Sequence, residues 1–107
     1  MPIDLCVGQS AGRDAKYVHA YAIPEEMHQR LFALPALGPD LSPVLWRLRD
    51  EIGDAVFLHG ELGMLRADIL FVRSTQPGPA LDGVLSAIDE VCAQALRAGE
   101  NLYAFGD

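Results

Sequence analysis

The sequence predicts an α+β fold: a small sheet of three strands, or four in an alternative reading, packed on about four helices. Three observations carry this. Apolar residues alternate with period two over residues 3–7, 17–23 and 101–105. Elsewhere they step by three and four, the spacing of an amphipathic helix. The chain has 107 residues, enough for one core and too few for two, so 1–107 reads as a single domain. Folding at this size leaves about 5,800 Å² exposed and buries about two-thirds of the extended chain's surface.

Each element follows from local signals. Ile3-Asp4-Leu5-Cys6-Val7 alternates and meets Gly8, giving a first strand. The polar run 8–14 is a loop. Residues 17–23 are aromatic and β-branched, giving a second strand. Tyr17, His19, Tyr21 and Ile23 share one face, and Val18, Ala20 and Ala22 form a small face set under helices. Pro24-Glu25-Glu26 opens a helix, since proline suits the first turn and acids favour its positive end. Ile23, Met27, Leu31 and Leu34 then keep helical spacing until Pro35 ends it. Ser42 is placed to cap a second helix over 42–52, with Pro43 at its first position. Leu41, Leu45, Leu48 and Ile52 form the stripe, and Gly53 is the stop.

Residues 54–73 carry two apolar stripes. Leu58, Leu62, Leu65, Ile69 and Val72 form one; Phe57, Met64 and Phe71, seven apart, form the other. Together they predict a helix apolar on two faces, hence central and buried. Gly60 and Gly63 oppose this by about 1 kcal/mol each. Ile69-Leu70-Phe71-Val72 also suits a strand, so 57–73 stays open between helix and strand. A strand over 64–73 would make the sheet four-stranded and nearer a ferredoxin-like arrangement. After a loop at 74–79, a helix over 79–98 carries Leu81, Leu85, Ile88, Cys92 and Leu96, and Gly99 stops it. Residues 101–105 form a last strand, expected beside the first because a terminal strand needs partners for its backbone.

Charge narrows the function. Fifteen acids against eight bases give −7, the wrong sign for a nucleic-acid or anionic-membrane binder. No apolar run reaches the roughly 18 residues of a membrane span. The N-terminus, with Asp4 and no basic region, does not read as a secretory signal. Cys6 and Cys92 sit at apolar positions and read as buried thiols. These features predict a cytoplasmic protein.

No motif fixes a chemistry. His19, His28 and His59 are too widely spaced for a metal-binding knuckle, and Glu25-x-x-His28 has no second copy; neither metal nor cofactor is expected. Gly8-Gln9-Ser10-Ala11-Gly12 matches G-x-S-x-G after a strand, but no helix follows to expose the serine. It reads as a hairpin loop. A small enzyme with a site near Ser10, His19 or Cys6 is therefore the lesser reading. The acid pairs Glu25-Glu26, Asp50-Glu51 and Asp89-Glu90 point about 100° apart on a helix and read as solvated.

The surface pattern says more. Trp46, Asp50 and Asp54 step by four, off the apolar stripe, and place the single tryptophan beside acids. Tryptophan is enriched at binding hot spots, although capping a core edge is its more ordinary role. Asp89 and Glu90 extend an acidic side of the last helix. These five residues are the candidate partner-binding set, suited to a basic protein partner. No catalytic residues are assigned, and the chain is expected not to be an enzyme.

In size, charge, mixed helix–strand order and the closing Leu102-Tyr103-Ala104-Phe105-Gly106-Asp107, the chain resembles the small acidic immunity proteins that bacteria pair with toxins. The resemblance spans the whole chain, rests on no diagnostic motif and transfers no functional residues. It implies a protein that neutralises a toxin by occluding its active site or substrate surface. The alternative is a homodimeric or regulatory binding module, with the apolar surplus buried between copies.

Overall fold

The computed structural model describes residues 2–9, 17–50 and 53–106. Four strands form one antiparallel sheet: β1 (Ile3–Gly8), β2 (Val18–Ile23), β3 (Asp54–Phe57) and β4 (Asn101–Phe105), in the order β2-β1-β4-β3. Three helices accompany it: α1 (Glu25–Leu31), α2 (Leu62–Ser74) and α3 (Pro79–Ala98). The α+β class stands, with one strand more and one helix fewer than the main expectation. The chain order ββαβααβ does not split into the two βαβ halves of a ferredoxin-like fold. The surface of 5,771 Å² is close to the value expected from chain length.

Helix α3 lies across β1, β2 and β4, while α2 packs on α3 and on the turn before β3. The core fills the space between. Ile3, Leu5, Val7, Phe57, Leu102 and Ala104 line the inner sheet face, and Leu81, Leu85, Ile88 and Cys92 descend from α3. Helix α3 starts with Pro79 at its first position and ends at Gly99 (φ 67°), as the sequence predicts. Strand β4 pairs with β1, Leu5 opposite Ala104 and Val7 opposite Leu102, also as predicted.

Four expectations need correction. First, Tyr21 and Ile23, not a small face of Val18, Ala20 and Ala22, stand opposite core-facing Leu5 and Ile3. A register shift between Leu5 and Cys6 interrupts the alternation, so Ala20 also touches the core while Val18 is 62% exposed. One extra residue in a strand resets which side its neighbours face.

Second, α1 stops at Leu31, short of Pro35. The residue before a proline avoids helical backbone, and here the last turn tightens through the shorter-span hydrogen bonds of Ala33 N–H to the Arg30 carbonyl and Leu34 N–H to the Leu31 carbonyl.

Third, the helix expected over 42–52 is only a 3-10 turn, Leu45–Leu48; residues 51 and 52 lie outside the described residues. The buried Ser42 does not cap it by side chain. Its Oγ donates to the Ala36 carbonyl (2.9 Å) and accepts from the Gly38 N–H (3.2 Å), closing the preceding loop. The N–H groups of Val44 and Leu45 instead donate to Asp68 Oδ2 on α2, at 2.8 and 3.1 Å. Leu41, expected in the stripe, is 57% exposed.

Fourth, residues 54–73 divide. Asp54–Phe57 is strand and Leu62–Ser74 is helix, so the fourth strand exists but precedes the region 64–73 where the alternative placed it. Leu62, Leu65, Ile69 and Val72 are buried as the first stripe predicts. The second stripe is not: Phe57 is buried through β3, but Met64 and Phe71 are 53% and 40% exposed. Helix α2 is peripheral, not central.

Candidate functional site

The candidate partner-binding residues fall in two places. The first is the 3-10 turn and the chain leading into β3. Trp46 is half-buried, with its ring 5.9 Å from Phe32 and the Arg49 guanidinium 5.5 Å above it. Phe32 in turn lies 4.6 Å from His28. Buried His28 donates from Nε2 to the Leu48 carbonyl at 2.7 Å, which ties α1 to the turn. Trp46 therefore closes the core edge while keeping an accessible rim. Exposed Asp50 and Asp54 line one shallow depression with Gly53, Ala55 and Ala104. They do not share a helix face with Trp46, because no helix forms there.

Arg47 organises this end of the sheet. Its guanidinium sits 4.6 Å from the Phe57 ring centre, pairs with Glu61 and donates to the Val56 carbonyl. Glu61 also accepts from the Leu58 N–H at 3.1 Å. That backbone hydrogen bond, followed by the Arg47 contacts, holds the Glu61 carboxyl below the usual range although partial burial opposes it.

The second place is the seam between α2 and α3. Asp89 accepts two hydrogen bonds from Arg66, at 2.8 and 3.1 Å. Asp82 is held likewise by Arg73, at 2.9 and 3.3 Å. These carboxylates push both guanidinium pKa values up. Asp89 is thus an internal partner, whereas Glu90 beside it is exposed. A groove of about 450 Å³ follows this seam, lined on α2 by Gly63, Ala67, Leu70 and the two arginines, and on α3 by Asp89 and Leu96.

Sequence reasoning missed the outward face of α2. At about 100° per residue, Gly63, Met64, Ala67, Leu70, Phe71 and Ser74 share one arc, and all six are exposed. None is charged. The helix's three charges lie on its flanks: Arg66 and Arg73 on Asp89 and Asp82, and Asp68 on the turn. The seven-residue repeat of Met64 and Phe71 was the available signal, read as burial within the chain.

The lesser, enzymatic reading has one geometric feature among the described residues. Asp4 and Cys6 share the outer sheet face with His19, whose Nε2 lies 3.1 Å from Asp4 Oδ1. Burial, and then the Asp4 charge, raise the Cys6 pKa, so the thiol stays protonated at neutral pH. Ser10 lies outside the described residues. Among the described residues no three His, Cys, Asp or Glu side chains converge in a way that could hold a metal ion, and no helix is long and apolar enough to cross a membrane.

No protein-family model matches this chain, and neither a curated protein nor a solved structure is similar to it.

Proposed function

We propose that this chain is a binding protein that neutralises a toxin by covering its active site or substrate surface, with Trp46, Asp50, Asp54 and Glu90 as contact residues. The distribution of charge carries the reading. Arg47, Arg66 and Arg73 are tied to carboxylates of the same chain, which leaves a net −7 expressed mainly by acids that face solvent, such as Glu26, Asp40, Asp54 and Glu90. Opposite charge speeds encounter with a basic protein and rejects acidic ones. A toxin that acts on nucleic acid has a basic cleft, and carboxylates can occupy it in place of phosphates. The half-buried Trp46 supplies a rigid anchor that loses little conformational freedom on contact. In this reading the chain has no catalytic step, cofactor or metal.

The test is co-purification with the product of the neighbouring gene, followed by titration calorimetry. The expected result is a tight complex whose affinity falls at least about 10-fold in the Asp50→Asn/Asp54→Asn double variant, and falls again when salt is raised. A complex indifferent to both, or no complex at all, would overturn the proposal.

A further inference from the structure

We infer that the outward face of α2 is the contact between two copies of this chain, packed antiparallel about a two-fold axis at Ala67. This goes beyond the toxin-binding proposal and does not rest on it, because the acids of that proposal and the α2 arc are different surfaces.

The first argument is the unfinished apolar pattern. Met64, Leu70 and Phe71 leave 53%, 69% and 40% of their surface in water on a single helix arc. Scattered exposed leucines are ordinary, but a contiguous uncharged face rimmed by polar groups is typical of an interaction site.

The second argument is shape. Along the arc, Gly63 lies beside Met64 at one end, small Ala67 in the middle, and bulky Leu70 and Phe71 towards the other end. A Cβ placed on Gly63 would meet nothing within 4 Å, so the hollow above it is open. Under a two-fold axis at Ala67, each residue meets the one equally far on the other side of position 67. Phe71 of one copy then enters the hollow over Gly63 of the other, and Leu70 lies on Met64. Each knob is used twice, as an isologous contact requires. Ala67 at the centre, being small, lets the helix axes approach to about 8 Å.

The third argument is charge. Two copies at −7 repel, so they can meet only where the surface carries little net charge. The α2 arc has none. Its rim on the α3 side consists of the pairs Arg66–Asp89 and Arg73–Asp82, each neutral overall. A basic partner would find little attraction there, whereas for a second copy the repulsion is least at this face. The three large side chains each offer on the order of 100 Å². Over both copies these side chains give about 600 Å²; Gly63, Ala67, Ser74 and the rims have to supply the rest of the roughly 1,000 Å² at the lower end of specific interfaces, which points to a weak, micromolar dimer.

Sedimentation equilibrium on the full chain tests this. The monomer mass is 11.6 kDa; the expected result is a doubled mass with a dissociation constant of about 1–10 µM. Leu70→Asp should weaken the dimer at least about 10-fold with an unchanged far-UV circular dichroism spectrum. In an otherwise native chain, Ala67→Cys should cross-link into a dimer with a bismaleimide spanning about 8 Å, since Cys6 and Cys92 are buried. This second variant decides the matter if Leu70→Asp does not fold. A monomer at all concentrations to about 0.5 mM, a dimer indifferent to Leu70→Asp, or no cross-link through position 67 would each overturn the inference.

Discussion

Cys92 is fully buried among the α3 residues that face the sheet. Burial, and then the nearby Asp89, push its thiol up to about 12 from 9.0. A protonated thiol is a poor nucleophile, so iodoacetamide at pH 8 should label Cys92 at least about 100-fold faster in guanidinium than in buffer, as read by mass spectrometry. The linkage has a definite sign. The unfolded chain releases this proton near pH 9 and the folded chain only near 12. The stability it contributes is therefore complete below about pH 9, and is lost as pH rises toward 12. Melting temperatures from pH 8 to 11 should fall, and fall less steeply in Cys92→Ala. Glu61 has the opposite sign: its pKa is lowered, so its contribution is present above the ordinary carboxylate range and lost on acidification. At this scale the sequence was a good guide. Cys92 sits in an unbroken helical stripe, and its burial follows from spacing alone. Trp46 was harder, because its packing on Phe32 depends on a turn that no periodicity announces.

Among the elements, α2 has two duties that its own sequence does not display together. Asp68 gives its carboxylate to the N–H groups of Val44 and Leu45, 24 and 23 residues away. Removing it in Asp68→Ala should cost about 1–2 kcal/mol, as loss of a helix cap does, measured by urea unfolding. Asp68→Asn keeps an acceptor and should recover at least half of that. This long-range bond explains one misreading. Residues 42–52 have the proline, the serine and the leucine spacing of a helix, yet Ser42 is engaged by Ala36 and Gly38, and the N–H groups of the turn are capped from another element. The division of 54–73 has a different cause. Phe57 is buried in β3, but its seven-residue distance from Met64 satisfies a helical repeat equally well. By contrast α3, β1 and β4 were legible because proline, glycine and a single unbroken period agree there. The α2 face was visible only by half. The pattern shows that both sides of the helix are apolar, but not whether the second side is covered by its own chain or by another.

For the whole molecule the dominant electrostatic fact is the excess of seven negative charges. The ion pairs Arg47–Glu61, Arg66–Asp89 and Arg73–Asp82 are partly exposed, and such pairs contribute little. Self-repulsion among the acids opposes compaction more. Added salt screens both over about 10 Å at 0.1 M. The melting temperature should therefore rise by about 2–4 °C between 10 mM and 500 mM sodium chloride, as measured by scanning calorimetry at fixed protein concentration. A fall would mean that the ion pairs outweigh the repulsion.

The Arg47 contact with Val56 has a consequence for the sheet as a template. The Gly106 N–H donates to the Gly53 carbonyl at 3.1 Å. The alternation of an antiparallel ladder then turns Ala55 and Phe57 toward β4, and the backbone groups of Asp54 and Val56 away from it. An uncovered outermost strand invites the β2 border of another copy, and a head-to-tail join of that kind does not close, so it propagates into fibrils. By seating a guanidinium on the Val56 carbonyl, the chain places a positive charge where a docking strand would have to bring its N–H.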